Sequence, residues 1–383
     1  MDRRTFVKAT GVAGIAGLAG CTGGGPSDGD GGDNSGDSSG DSGGDSSGDS
    51  GSDETTTESG SGDPAANIGM VYATGGLGDG SFNDQAQQGA LQAEEELGIS
   101  FNEAQPDEVA EFSTFQQQFA QSTDPNYDLV CTIGFLQADA LTENAEEYPD
   151  QNFMLVDSVV DAPNVDNYVF AEHEGSYLGG LMASLLTTQD FSAGAGSTDT
   201  ESTSLGFVGG VESDLIRKFE AGFVAGAEAG NSDVEVSTNY VGDFNDPAGG
   251  REAATAMYND GADIVYHAAG NTGAGVFQAA QEEGRFAIGV DRDQSLTQES
   301  YADVILASMV KRVDTAVYGA IESVVEDDFE GGDTIELGLD QDGVALVYGD
   351  QIGSEVPDDV ADEVATARED IIAGDIDVPT SPQ

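Results

Sequence analysis

From Asn67 onward, short apolar runs alternate with amphipathic stretches of helical spacing, and this alternation is the strongest constraint on the fold. Apolar runs of this length between glycine-rich or polar turns are typical of buried strands. Strands that alternate with helices predict parallel sheets covered by helices on both faces. The predicted strands are Ile68–Thr74, Leu129–Ile133, Phe153–Asp157, Leu205–Val208, Val234–Val241, Ile264–Ala268 and Phe286–Val290. The predicted helices lie near 84–97, 108–121, 136–147, 174–187, 214–229, 248–259, 273–283 and 312–326.

The length of this patterned region predicts two α/β lobes, since about 310 residues exceed what one such core usually holds. We expect the first lobe to contain 67–172 and about 292–325, and the second to contain about 173–291 and 326–350. Residues 351–383 are then a C-terminal extension. Ligands of open α/β sheets bind beyond the carboxyl ends of the strands, so a ligand cleft between the lobes is expected.

The first 66 residues have the pattern of an export signal followed by a tether. Arg3-Arg4-Thr5-Phe6-Val7-Lys8 is a twin-arginine motif, and Leu18-Ala19-Gly20-Cys21 is a lipobox after a short apolar stretch. That stretch is too short to span a bilayer. We expect residues 1–21 to direct export and Cys21 to be lipidated, holding the chain at the extracellular face of the cell membrane. Residues 22–66 repeat Gly, Ser, Asp and Thr, which predicts a disordered tether.

The charge balance excludes one class of partner and indicates a source. The chain has 73 acidic and 11 basic residues, a formal net charge of −62. Nucleic-acid binding needs a basic face, so no nucleic-acid partner is expected. An acidic surface suits molar salt, where the Debye length is roughly 3 Å and self-repulsion is screened. We therefore predict a halophilic, archaeal source. Beyond residue 66 only Lys218 and Lys311 are lysines, which favours a specific role for each.

The reactive residue types do not form a catalytic or metal-binding pattern. Cys131 lies in an apolar run and is predicted to be a free core residue. The two histidines, His173 and His267, stand apart from each other and from any second cysteine. We find no phosphate-binding loop or Ser/His/Asp arrangement in the sequence. The chain is therefore expected to be neither an enzyme nor a metal or cofactor protein.

Eight motifs follow one another along the patterned region. They are Gly78-Asp79-Gly80-Ser81-Phe82-Asn83, Glu174-Gly175-Ser176-Tyr177-Leu178-Gly179-Gly180, Gly206-Phe207-Val208-Gly209-Gly210, Phe219-Glu220-Ala221-Gly222-Phe223, Tyr240-Val241-Gly242-Asp243-Phe244-Asn245-Asp246, Ala268-Ala269-Gly270-Asn271-Thr272-Gly273, Gly289-Val290-Asp291-Arg292-Asp293-Gln294 and Ser308-Met309-Val310-Lys311-Arg312. In this order they closely resemble the basic membrane protein family of lipoproteins, also called PnrA-like, from about residue 67 to 347.

This resemblance implies a fold and a function. The fold is the periplasmic binding protein type I fold, α/β, with two Rossmann-like domains and a ligand cleft between them. The function is that of an ABC transporter substrate-binding protein, whose protein partners are the permease subunits. The best-known ligands of the family are purine nucleosides. We expect a monomer that closes about a hinge around its ligand. A ligand-sensing receptor lipoprotein, or transport of a flavin or a sugar, are the alternatives.

A nucleoside site needs aromatic faces for the base and polar groups for the sugar. The chain has no Trp, so we expect Phe82 to stack on the base. Asn83 offers a donor and an acceptor, with a role as helix N-cap as the alternative. Asp157 is expected to accept from a purine N–H, and Asp291 from the ribose hydroxyls. Lys311 is expected to donate to the same sugar and to balance Asp291.

Glycines and further aromatic residues complete the predicted site. Gly209, Gly210 and Gly270 are expected to let the backbone approach the ligand. Phe135 and Phe277 are candidates for a second aromatic wall.

Overall fold

Two six-stranded sheets form the framework of the computed structural model, which describes residues 63–382. The predicted export signal, the lipidation site Cys21 and the tether up to residue 62 lie outside the described residues. The first sheet has the order β13-β5-β4-β3-β1-β2 and is entirely parallel. Its strands are β1 (Asn67–Val71), β2 (Ser100–Ala104), β3 (Leu129–Thr132), β4 (Phe153–Val156), β5 (Val165–Phe170) and β13 (Thr334–Leu337).

The second sheet has the order β14-β12-β11-β10-β8-β9, and only its edge strand β14 is antiparallel. Its strands are β8 (Ser204–Gly209), β9 (Glu235–Tyr240), β10 (Ala262–Ala268), β11 (Phe286–Asp291), β12 (Ile305–Lys311) and β14 (Val344–Tyr348). A small antiparallel pair joins β6 (Ser192–Ala193) to β7 (Gly196–Ser197). The two sheets confirm the prediction of two α/β lobes with parallel cores.

Helices cover both sheets. They are α1 (Phe82–Leu97), α2 (Phe112–Ala120), α3 (Ala138–Glu147), α4 (Glu172–Thr187), α5 (Asp214–Gly230), α6 (Pro247–Asn259), α7 (Gly273–Glu283), α8 (Gln294–Thr297), α9 (Val313–Val325) and α10 (Asp358–Ala373). Local signals explain several of their starts. Asp246 accepts from the backbone N–H of Gly249 at 3.0 Å, and Pro247 occupies the first position of α6.

Helices α4 and α5 pack so closely that their glycines are required. A Cβ atom on Gly180 would lie 2.0 Å from the carbonyl oxygen of Phe223. A Cβ atom on Gly226 would lie 2.0 Å from the carbonyl oxygen of Tyr177. The two backbones therefore touch directly, which gives two of the sequence motifs a packing role.

The chain passes between the lobes three times, and two of the predicted boundaries need correction. The first passage leads from β5 into α4, which is where the boundary near residue 172 was predicted. The segment 292–325 was expected in the first lobe, but β12 pairs with β11 of the second sheet, so the chain returns only at Arg312. The segment 326–350 was expected in the second lobe, but β13 pairs with β5 of the first. Hydrogen bonding between strands decides these assignments.

The C-terminal extension contains α10, which packs against α4.

Candidate ligand-binding site

A cleft lies between the loops at the carboxyl ends of the two sheets, with about 690 Å³ of empty space when the part open to solvent is included. Clefts at this place in α/β sheets are where ligands bind. Loops after β1, β3 and β4 form one wall, and loops after β9, β10 and β11, together with α5, form the other. Six of the eight residues predicted to bind ligand line the cleft: Phe82, Asn83, Asp157, Gly270, Asp291 and Lys311.

Four phenylalanines contribute flat apolar faces to the cleft, beside aliphatic residues such as Leu136 and Val290. Phe82 and Phe135 come from the first lobe, and Phe219 and Phe244 from the second. Phe135 and Phe244 meet edge to face across the cleft, with ring centroids 6.4 Å apart. Phe277 is fully buried and packs against the ring of His267 at 5.0 Å, so the prediction of a second wall is wrong for Phe277.

Sequence reasoning missed Phe219 and Phe244 as lining residues, although both lie within motifs it singled out. The one available signal was Phe244, a large aromatic residue in an otherwise polar loop directly after a strand. Phe219 gave no such signal, because an aromatic residue on an amphipathic helix is most often part of the core.

Lys311 occupies the centre of a buried charged cluster. Its side chain is 2% exposed, and its Nζ donates to Asp157 at 2.7 Å. The Nζ also lies over the rings of Phe82, at 4.7 Å from the centroid, and Phe219, at 5.5 Å. The predicted partner was Asp291, but the ion pair is formed with Asp157 of the opposite lobe. Burial lowers the pKa of Lys311, but the surrounding carboxylates outweigh it and raise the pKa above its usual value.

Asp157 and Asp291 occupy matching positions, each at the carboxyl end of the third strand from an edge of its sheet. Both have left-handed backbone conformations, with φ of 70° for Asp157 and 65° for Asp291. Non-glycine residues rarely adopt this conformation, and Asp is one of the few that tolerate it. Strained residues of this kind are concentrated at functional sites, and here the strain aims two carboxylates into one cleft.

The two carboxylates are not equally engaged. Asp157 Oδ1 is buried without a hydrogen-bond partner among the described residues, whereas Asp291 Oδ2 accepts from the hydroxyl of Ser81 at 2.5 Å. Burial raises the pKa of Asp157 to about 6, with Lys311 opposing the shift and Glu172 adding to it. Burial also raises the pKa of Asp291, opposed by Lys311 and by the Ser81 hydroxyl. Asp157 therefore keeps one buried oxygen whose hydrogen-bonding capacity is not used by any described residue.

The loop before α1 is held by its own side chains. Asn83 Oδ1 accepts from the N–H of Ala73 at 2.9 Å, and its Nδ2 donates to the carbonyl of Gly76 at 3.0 Å. Asn83 is thus engaged in shaping the loop as well as lining the cleft, and Ser81 rather than Asn83 occupies the N-cap position. Asp79, which was not predicted as a site residue, also lines the cleft. Burial raises the pKa of Asp79 to about 6, opposed by backbone N–H groups of α1.

Two predicted glycines do not line the cleft. A Cβ atom on Gly209 would lie 2.5 Å from the ring of Tyr240, and one on Gly210 would lie 2.3 Å from the ring of Phe244. Both are small because an aromatic ring packs against them, not because the backbone borders the cleft. Gly270 does line it, with φ of 56°.

Several contacts join the lobes beside the cleft. The Ser81–Asp291 hydrogen bond crosses between them, as does the ion pair of Lys311 with Asp157. The hydroxyl of Thr297 donates to the carbonyl of Gly80 at 2.8 Å. The two walls are therefore in direct contact, as expected for the closed arrangement of a two-lobed binding protein.

Of the remaining reactive residues, Cys131 and His267 lie in the core and His173 is half-buried. Cys131 is buried and free, as predicted. His267 is fully buried with Nε2 2.9 Å from the side-chain oxygen of Gln294, and burial lowers its pKa to about 4. Burial, assisted by Lys218, also lowers the pKa of His173 to about 4. Among residues 63–382 no group of His, Cys, Asp and Glu side chains could hold a metal ion. In the same range we find no helix that is long and apolar enough to cross a membrane.

Known proteins resemble this chain over most of its described length. A family model for "ABC transporter substrate-binding protein PnrA-like" matches residues 66–381. The chain is 35% identical to a CD4+ T-cell-stimulating antigen of Listeria monocytogenes, covering 82% of this chain and 88% of that protein. It is 33% identical to the ABC transporter nucleoside-binding protein BmpA of Lactococcus lactis, covering 81% and 88%.

An archaeal relative and a solved structure extend the comparison. The chain is 33% identical to an uncharacterized lipoprotein of Pyrococcus abyssi, covering 76% of this chain and 70% of that protein. A crystal structure of an ABC transporter solute-binding protein from Aeropyrum pernix superimposes with a TM-score of 0.73. Its sequence is 29% identical, and the match covers 83% of this chain and 94% of that one. The fold is therefore that of periplasmic binding proteins.

Proposed function

The chain belongs to the PnrA-like family of ABC transporter substrate-binding proteins, and from that premise we propose that its ligand is a purine nucleoside. Substrate-binding proteins capture a solute and pass it to a permease without converting it, so the chain is not an enzyme. The nucleoside enters between the open lobes, the lobes close about their three connections, and the closed form docks on the permease.

The observation that carries this proposal is the convergence of aromatic rings and strand-end carboxylates in one cleft. Phe82, Phe135, Phe219 and Phe244 supply flat apolar faces of the kind that a base requires. Asp291 supplies a charged acceptor for the ribose diol, and the free Oδ1 of Asp157 an acceptor for a base N–H. The relative from Lactococcus lactis that is named a nucleoside-binding protein supports the same ligand class.

The charge of the cleft favours an uncharged ligand over a nucleotide. Asp79, Asp157 and Asp291 line it, with Lys311 as the cation among the lining residues. Lys311 is already paired with Asp157, so a phosphate group would meet carboxylates without a compensating positive charge. Bringing like charges together in a buried site is strongly unfavourable.

Titration calorimetry of the full chain in multimolar KCl tests the proposal. The protein is first unfolded and refolded to remove any bound ligand, then titrated with guanosine, inosine, adenosine, cytidine, ribose, riboflavin and guanosine monophosphate. We expect at least one purine nucleoside to bind with a micromolar or lower Kd. This corresponds to a binding free energy of about −8 kcal/mol or more favourable. Guanosine monophosphate should bind at least tenfold more weakly than guanosine. Folded protein that binds riboflavin or ribose in preference to every purine nucleoside would contradict the assignment.

We further propose that the chain is anchored outside the cell. The twin-arginine motif and the lipobox ending at Cys21 support export followed by lipidation. Relatives named lipoproteins, such as the one from Pyrococcus abyssi, support the anchor. The tether of residues 22–66 would then let a monomeric binding protein reach the permease at the same membrane.

The acidic surface predicts that folding depends on salt. With a net charge of −62, self-repulsion opposes the compact state in dilute buffer, and molar KCl screens it. We expect the melting temperature to rise steeply between dilute buffer and multimolar KCl. The check is a series of thermal melts followed by circular dichroism at increasing KCl. A melting temperature that is independent of KCl would contradict a halophilic origin.

A further inference from the structure

Glu172 is a fully buried carboxylate in the first turn of α4, and it does not line the cleft. Its Oε2 lies 3.0 Å from Lys218 Nζ, and its Oε1 lies 3.7 Å from Lys311 Nζ. Neither oxygen accepts a hydrogen bond of good geometry among the described residues. Burying a carboxylate without hydrogen bonds is costly, and the two nearby ammonium groups offset part of that cost.

The lysine content of the chain makes this convergence informative. The sequence has three lysines, and the two beyond residue 66, Lys218 and Lys311, both meet Glu172. They reach it from different elements, since Lys218 lies on α5 and Lys311 ends β12. Glu172 itself lies where the chain first passes from one lobe to the other. A composition that avoids lysine almost everywhere has thus kept two of them around one buried acid.

Lys218 is held in place by a second contact. Its Nζ donates to the carbonyl of Phe170, the last residue of β5, at 2.5 Å. Lys218 therefore joins α5 to the passage between the lobes, with Glu172 between it and Lys311. On its other side Lys311 donates to Asp157 Oδ2 at 2.7 Å.

We infer that Glu172 is a positioning residue of the ligand site: it orients Lys311 toward Asp157 and sets the charge that these two groups present to the ligand. The functional part of this inference rests on the proposed nucleoside binding. The groups facing Glu172 are Lys311, Lys218 and Asp157, with the Tyr266 hydroxyl of β10 also within electrostatic reach. The adjacent His173 is neutral at physiological pH because burial lowers its pKa.

The electrostatic consequence has a definite sign. The negative charge of Glu172 helps to raise the pKa of Asp157, so the variant Glu172→Gln should lower that pKa. Nucleoside binding that needs the Asp157 carboxylate should then persist to lower pH in the variant. At neutral pH the same variant should bind more weakly, because Lys311 loses one of the charges that orient it. We expect the loss to be about tenfold, the lower end of the range found when residues that orient metal ligands are altered.

Lysine NMR and guanosine titration of the full chain test this inference together. Lysine labelled with carbon-13 at Cε gives three signals, and lysine substitutions assign those of Lys218 and Lys311. In Glu172→Gln we expect the signals of both Lys218 and Lys311 to shift. The Lys311 signal also senses the protonation of Asp157, and we expect that titration to occur at lower pH in the variant. We also expect guanosine affinity at neutral pH to fall about tenfold. The matched control is Glu174→Gln, on the same helical turn, whose carboxylate accepts from the N–H of Leu339 at 2.8 Å.

The outcomes separate this inference from the nucleoside assignment. Unchanged Lys311 signals and an unchanged titration in folded Glu172→Gln protein would overturn the inference, as would equal changes in Glu174→Gln. If wild-type protein binds no guanosine, the nucleoside assignment fails, while the lysine signals still decide the role of Glu172. Should Glu172→Gln fail to fold, Glu172→Asp keeps the charge and shortens its reach. A Lys311 signal that is unmoved in that variant would equally overturn the inference.

Discussion

Replacing Lys311 by Met should lower the free energy of unfolding by about 3–5 kcal/mol at neutral pH, the loss typical of breaking a buried ion pair from one side. Lys311 is 2% exposed and lies next to Asp157, with Glu172 and Asp291 close by. Met keeps the length of the side chain and its apolar contacts but removes the charge. The three carboxylates would then stay buried with one nearby lysine, Lys218, which contacts Glu172. Equilibrium unfolding by denaturant at high KCl measures the loss.

The loss from Lys311→Met should shrink as the pH falls. Burial already raises the pKa of Asp157 to about 6 and raises that of Asp291, and both should rise further without the ammonium group. A folded-state pKa above the unfolded value of 3.8 means that the folded state takes up protons first. Stability of the variant is therefore gained as the pH falls through the folded pKa values toward 3.8. The control is Arg251→Met, which removes an exposed ion pair with Glu282 and should change little. Equal losses in both variants, or a loss independent of pH, would contradict the role given to Lys311.

Asp291→Asn should weaken purine nucleoside binding about 10- to 100-fold, the range for losing a charge-assisted hydrogen bond in a buried site. Asn has nearly the same size and tolerates the left-handed backbone at φ 65°, whereas Ala at this position would add backbone strain. The variant therefore removes the carboxylate charge without adding backbone strain. It also weakens the acceptor for the Ser81 hydroxyl across the lobes. Calorimetric titration at neutral pH gives the change in affinity.

The chain supplies a matched control for this substitution. Asp327 also has a left-handed backbone, with φ of 59°, but it is exposed just after the end of α9 and does not line the cleft. Asp327→Asn should leave nucleoside affinity unchanged. Wild-type affinity in folded Asp291→Asn protein would remove Asp291 from the binding site.

The connection between binding and closure follows from where these charges lie. Asp157 belongs to the first lobe, Asp291 and Lys311 to the second, and the Lys311–Asp157 pair therefore joins the two lobes. A ligand that bonds to both carboxylates would add to contacts that already favour the closed form. Ligand affinity and lobe closure would thus be coupled through the same few side chains.

The sequence by itself determined the layered α/β architecture and the strands at its centre. Strands such as β3, β4 and β11 are buried along their whole length, so their residues form almost continuous apolar runs. Strand β10 is equally buried, but its apolar residues stand between Asp263 and His267. Because ligands bind at the carboxyl ends of such strands, Asp157, Asp291 and Gly270 could be placed at the cleft from local pattern alone. The edge strand β2 was not predicted, since half-exposed residues at an edge do not form an apolar run.

Only the tertiary structure decided which elements and charges meet. Strand β12 stays in the second sheet and β13 returns to the first, a choice made by hydrogen bonding between strands that are distant in sequence. Lys311 pairs with Asp157, 154 residues away. Glu172 lies close to both Lys218 and Lys311, although the sequence around Glu172 does not indicate these contacts. Periodicity reports whether a residue is buried, because burial follows from the geometry of one helix or strand. Which partner a buried charge finds depends on how separate elements pack, and that information is not present in any local stretch of the chain.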